Sequence, residues 1–438
     1  AKLASDRSFV WLRRSLTPKE QYAVNRLGIP GLFFQREERR VYPHGALTSH
    51  VVGFTDIDKR GLAGVEQYFD ERLKQSNEPL RLSIDIRVQH LVREELSKAV
   101  EEFRAIGAAA MVLDIHTGEL LAMVSLPDFD SNAPAQAEPE TRFNRNTLGV
   151  YEPGSTFKIF NTAMALDYGT TTIAGGYDAT KPIQVARFTI SDYKGQKRWL
   201  SVPEIFMYSS NIGSVRMALD VGRDRQREFL GRMGFLKTPS IELPEVGGPL
   251  VPAPWREINT MTVSFGHGIS ITPLQLVSGT SAIVNGGVLR PVTLLRRDED
   301  SVPAGTRVIS TRTSDHMRRL MRLVVEKGTA KSSNVPGYLV GGKTGTAEKI
   351  VNGRYKKDAR ISSFVGAFPM NAPRFVVYAM LDEPKGNKAT LGYATAGWVV
   401  APAMGRIVTR IASLYGIAPV DDNAPELQEQ LFINASIR

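Results

Sequence analysis

The chain has 438 residues, 42% of them hydrophobic, enough for more than one domain around a sizeable core and too many for an extensively disordered protein. With no cysteine it has no disulfide, thiolate metal site or cysteine nucleophile, and its six histidines lack the close pairing that a zinc site needs, so no metal or cofactor is expected. The formal charge of +10 is scattered rather than gathered into basic runs interleaved with aromatics, which favours an anionic membrane surface or an acidic wall polymer over nucleic acid.

Residues 1–79 mix short apolar runs with many charges and read as a small irregular domain, whose start is expected to be internal to a longer gene product. No uninterrupted apolar stretch is long enough to predict a membrane-spanning helix. From Pro79 the character changes. Leu80 to Asp85 reads as a strand, and Val88, Leu91, Val92, Glu95 and Leu96 predict a helix to about Phe103. A hairpin follows, with strands Gly107–Ile115 and Glu119–Ser125 around a turn at His116-Thr117-Gly118, and then a loop from Asp128 to Glu140. Tyr151-Glu-Pro-Gly154 breaks regular structure just before Ser155, after which Phe157, Ile159, Phe160, Ala163 and Leu166 recur at helical spacing. Helical segments are also predicted over Val202–Met207 and Ile212–Val221. Leu339 to Thr346, Ile361 to Phe368 and Arg374 to Leu381 read as strands, and Ala394 to Leu414 as an apolar helix. Early and late strands with helices between them predict an α+β fold with an antiparallel sheet, over residues 80–419, ending in a loosely attached acidic tail at 420–438.

The chemistry starts at Ser155. A serine hydroxyl needs a base beside it and donors for the developing oxyanion, and on a helix Lys158 shares its face at i+3. Ser-x-x-Lys is weak alone, since Ser191-Asp-Tyr-Lys194 repeats it in a polar stretch with no helix onset. Ser209-Ser210-Asn211, between two helical segments, offers a hydroxyl and an amide, although Ser332-Ser333-Asn334 has the same letters. Lys343-Thr-Gly-Thr346 supplies a cation, two hydroxyls for a carboxylate and a glycine that lets a substrate backbone approach the strand.

Taken in this order, the three elements form the set found in penicillin-binding proteins and class A β-lactamases. Through Tyr151-Glu-Pro-Gly-Ser-Thr-Phe-Lys158, Tyr208-Ser-Ser-Asn-Ile-Gly213, Phe265-Gly-His-Gly-Ile-Ser-Ile-Thr-Pro-Leu-Gln275 and Gly341-Gly-Lys-Thr-Gly-Thr-Ala347 the chain resembles a class B, monofunctional penicillin-binding protein. Arg40-Val-Tyr-Pro-His-Gly45 and Gly61-Leu-Ala-Gly-Val-Glu66 resemble motifs of that family's non-catalytic pedestal. The wording of 49–66 looks more like the septal division enzyme than the elongation enzyme, and Tyr151-Glu-Pro-Gly-Ser-Thr-Phe-Lys158 resembles Gram-negative, alphaproteobacterial members.

The resemblance implies a D,D-transpeptidase that cross-links peptidoglycan stem peptides and is acylated by β-lactams. It implies Ser155 as nucleophile, Lys158 as base, Ser209 and Asn211 as helpers, and Lys343, Thr344, Gly345 and Thr346 as the substrate-binding strand. The backbone N–H groups of Ser155 and Thr346 would form the oxyanion hole. It further implies a periplasmic catalytic domain, an inner-membrane anchor outside this chain, and a membrane-embedded glycan polymerase and other division proteins as partners. The competing readings are a β-lactamase, which lacks support because no Glu-x-x-Leu-Asn segment occurs, and a β-lactam sensor or silent scaffold.

Overall fold

A computed structural model describes residues 6–185, 188–351 and 354–433. Asp85 accepts from the Arg87 N–H and starts helix α1 (Ile86–Phe103), which ends at Arg104 in the left-handed region. The predicted hairpin follows as β1 (Gly107–Asp114) and β2 (Leu120–Leu126). After it come α2 (Lys158–Asp167), α3 (Val202–Tyr208), α4 (Asn211–Val221), α5 (Pro273–Val284) and α6 (Thr311–Glu326). The late strands are β3 (Gly341–Val351), β4 (Arg354–Phe368) and β5 (Phe375–Asp382), and α7 (Ala401–Leu414) follows.

These strands form one five-stranded antiparallel sheet in the order β3-β4-β5-β1-β2, so the late strands join the early hairpin where β5 pairs with β1. Helices α1 and α7 pack together on β1, β2, β4 and β5, while α5 packs on β1, β4 and β5. Cover on both faces explains why β1 and β5 are almost continuously apolar instead of alternating. The edge strand β3 lies against α6 and the turn that carries Ser155.

Three sequence expectations need correction. Leu80 to Asp85 is not a strand: Leu82 makes a single bridge to Leu295, and the segment then bonds alternately to Leu294 and Leu121, two partners that do not form one ladder. The predicted last helix is two, Ala396–Val399 and α7, separated at Val400. The acidic tail is anchored as far as it is described: the Asp422 carboxylate accepts from the Gly337 N–H and from Arg322, and Leu431 is buried in the main core.

The two pedestal-like motifs meet each other. Arg40 makes a bidentate ion pair with the buried Glu66 carboxylate, at 2.9 and 3.1 Å. Val51 and Val65 join the main core, and the Gly64 N–H donates to Glu245. Residues 42–66 therefore pack directly on the sheet-bearing part of the chain.

Helix α2 is seated on three buried rings, Phe157, Phe160 and Phe235, with centroids 4.6 to 5.4 Å apart. Phe235→Ala is expected to cost about 3–5 kcal/mol, because the cavity lies under the helix and little can collapse into it. Urea unfolding measures this directly.

Candidate active site

Ser155 lies in a tight turn, Gly154–Phe157, and the helix expected to open at Ser155 itself begins one turn later, as α2 at Lys158. Gly154 has φ +54°, and a Cβ there would lie 3.2 Å from the Thr346 carbonyl oxygen. Turn and strand backbones are thus in contact, as two backbone donors aimed at one oxyanion require. Gly345 is needed for the same closeness: its Cβ would meet Thr156 at 2.8 Å and the Pro153 oxygen at 2.9 Å.

Lys158 Nζ is the centre of a network. It lies 3.3 Å from Ser155 Oγ, 3.1 Å from Ser209 Oγ, 2.5 Å from the Ser209 carbonyl oxygen and 2.7 Å from Asn211 Oδ1. The last two atoms only accept, so they take two N–H bonds of a neutral amine and leave its lone pair for a serine hydroxyl. Ser209 is in the left-handed region with φ +61°, a conformation that costs a non-glycine residue about 1–2 kcal/mol. It ends α3 and lets α4 start two residues later, so that its Oγ also lies 3.0 Å from Lys343 Nζ. The hydroxyl bridges the two lysines.

Both amines are buried, with Lys158 1% and Lys343 0% exposed. Burial pushes the Lys158 ammonium well below its usual range; the Lys343 charge adds to this and Asp192 opposes it. Burial alone lowers Lys343 to about 7. Between about 7 and the ordinary 10.5 the unfolded chain holds a proton on Lys343 that the folded chain does not, so unfolding free energy from this group rises with pH. The stability of the protein relative to Lys343→Met is accordingly expected to rise from pH 7 to 9, measured by denaturant unfolding at each pH.

Thr344 and Thr346 share the other side of β3, as strand alternation dictates. Thr344 Oγ1 lies 2.6 Å from Thr329 Oγ1, and Thr346 Oγ1 accepts the Ala396 N–H at 3.3 Å.

Sequence reasoning set the Ser191–Lys194 stretch aside, yet it supports the site. Asn211 Nδ2 donates to the Ser191 carbonyl, and the Asp192 carboxylate accepts from the Ser210 hydroxyl and the N–H groups of Asn211 and Ile212. Asp192 is a long-range cap on α4, fixing Asn211 where Lys158 needs it. No local signal revealed this, since the partners are 18 to 20 residues apart. Asp192→Ala is expected to remove about 1–2 kcal/mol of stability, read as a lower urea midpoint, with slower acylation of Ser155. The other repeat, Ser332-Ser333-Asn334, is structural: Asn334 accepts from Arg322.

A second group lies beside the turn. Glu152 accepts from the Gly268 N–H and the Tyr355 hydroxyl, and His267 Nδ1 is 3.8 Å from its other oxygen. Among the described residues no cluster of His, Asp and Glu could hold a metal.

A partly exposed serine against a buried lysine, a bridging Ser-x-Asn and a lysine-bearing edge strand on an α+β sheet define a serine acyltransferase of the penicillin-binding type. The transpeptidase domain of penicillin-binding proteins matches residues 108–405, and the chain belongs to that family. It is 42% identical to a probable peptidoglycan D,D-transpeptidase FtsI of Caulobacter vibrioides, over 92% of this chain and 70% of that protein. FtsI of Escherichia coli is 31% identical over 94% of this chain and 73% of its own length. Penicillin-binding protein 3 of Mycobacterium tuberculosis, solved with ampicillin, superposes with a TM-score of 0.82 at 28% identity, covering 91% of this chain and 94% of that one.

Proposed function

We propose that the chain is a peptidoglycan D,D-transpeptidase of septal wall synthesis that works through an acyl-enzyme on Ser155. Family membership and the FtsI relatives support the activity and the division role, and the ampicillin complex of a related fold supports β-lactam binding. The observation that carries the residue roles is Lys158 Nζ, held between Ser155, Ser209 and Asn211 beside Lys343.

In this reading Lys158 takes the Ser155 proton as Oγ attacks the penultimate D-alanine carbonyl, and the N–H groups of Ser155 and Thr346 receive the oxyanion. Ser209 Oγ, touching both lysines, passes the proton to the leaving D-alanine amine. Lys343, Thr344 and Thr346 hold the terminal carboxylate, with Gly345 keeping the strand against the Ser155 turn. An amine from a second stem peptide then takes the acyl group. Residues 1–79 are the pedestal and 80–419 the catalytic domain, with 420–438 as an acidic tail that packs on it as far as residue 433. No helix among the described residues is long and apolar enough to cross a membrane, and the proposed inner-membrane location rests on the resemblance to the FtsI relatives. The catalytic domain works in the periplasm beside a glycan polymerase and other division proteins.

The test is a stem pentapeptide supplied with an amine acceptor. Released D-alanine together with the cross-linked product is expected; hydrolysis alone would point to a carboxypeptidase or β-lactamase, and no turnover to a sensor.

A further inference from the structure

Transfer to an amine poses a proton problem that acylation does not. During acylation the proton leaving Ser155 ends on the departing amine, so Lys158 starts and finishes neutral. An acceptor amine arrives near neutral pH as an ammonium and must lose two protons, of which only one returns to Ser155 Oγ. The site needs a second acceptor.

The structure holds one candidate that the proposed mechanism does not use. Gly266 accepts the Gly154 N–H at 3.1 Å, and a Cβ on Gly266 would lie 2.2 Å from the Gly154 oxygen, so residue 267 follows directly on the backbone that flanks Ser155. The His267 side chain is 32% exposed, its ring stacks on Tyr355, and Nδ1 faces Glu152 Oε2. Glu152 is only 9% exposed and Oε2 has no hydrogen-bond partner, although Oε1 has two. A buried, half-satisfied carboxylate behind a half-exposed imidazole is the arrangement that steadies an imidazolium when it forms.

We propose that His267, steadied by Glu152, accepts the first proton of the incoming acceptor ammonium during acyl transfer. This rests on the transpeptidase reading above. The freed amine attacks the acyl carbonyl and forms the C–N bond. Its second proton goes to Lys158 and from there to Ser155 Oγ as the C–O bond breaks. The imidazolium returns its proton to solvent through its exposed edge. Burial and the nearby Lys158 lower the His267 pKa while Glu348 raises it, and Tyr355 covers one face, so the ring stays neutral and ready to accept a proton to below its usual titration range. Glu152 is a positioning residue.

The test compares the protein with His267→Gln and Glu152→Gln, using a stem-peptide thioester as donor and glycine as acceptor. Penicillin acylation of Ser155 shows that each variant is folded. For His267→Gln, transfer to glycine relative to hydrolysis is expected to fall about tenfold at pH 7 and to recover as pH approaches the acceptor's own pKa. Glu152→Gln should show the same loss with its pH profile displaced. A transfer-to-hydrolysis ratio unchanged in His267→Gln, or one reduced equally at every pH, would overturn the proposal. A protein that transfers to no amine even unmutated would instead overturn the transpeptidase reading.

Discussion

Ser155→Ala is expected to abolish the covalent penicillin adduct and to lower D-alanine release by about four orders of magnitude or more, as loss of a serine nucleophile does elsewhere. The size follows from the geometry: in the described site no other hydroxyl is held by both the Ser155 turn and the lysine network. Ser209 is the nearest alternative, but its Oγ is already shared between Lys158 and Lys343. Stability should hardly change, since the substitution removes one hydroxyl from a turn whose closeness to β3 depends on Gly154 and Gly345 instead. Adduct mass spectrometry and a coupled D-alanine assay read the two effects separately.

Lys158→Met is expected to slow acylation by about 10²–10⁴-fold, the usual contribution of a positioned base, and to flatten the pH dependence that its titration produces. Methionine matches the unbranched stem, so the helix keeps its seat on the phenylalanine cluster. The cost to stability should be small, because the Ser209 oxygen and Asn211 Oδ1 lose a donor while a buried amine that burial keeps from charging is also removed. Slow acylation with near-normal stability would separate a base from a structural amine. Acylation unchanged in Lys158→Met would assign the proton to another group.

Much of this arrangement was legible in the sequence, for identifiable reasons. The β1–β2 hairpin and the helix after Ser155 carry their signals locally, in turn residues and periodicity; the hairpin lies where expected and the helix begins one turn late. That early and late strands share one sheet could be inferred from their apolar runs, because a single sheet has to bury them together, whereas their order could not. Leu80 to Asp85 misled because apolar alternation marks a half-buried extended segment whether or not it finds a ladder partner. The tail misled because its acidic composition reads as solvent-exposed, whereas one of those acids, Asp422, is what ties it to Arg322.

At the site, Ser155, Lys158, Ser209, Asn211 and Lys343 could be picked out because each belongs to a short motif with its own spacing. Asp192 could not, since its function depends on a chain reversal that brings it to the start of α4 from 18 residues away. His267 and Glu152 each stood inside a recognised motif, but only the fold places one against the other.

The most direct measurement is to incubate the protein with a labelled penicillin, locate the adduct by peptide mass spectrometry and follow its loss. A stoichiometric adduct on the peptide containing Ser155, persisting for many minutes, is predicted. Rapid turnover, or an adduct on another residue that survives Ser155→Ala, would contradict the account.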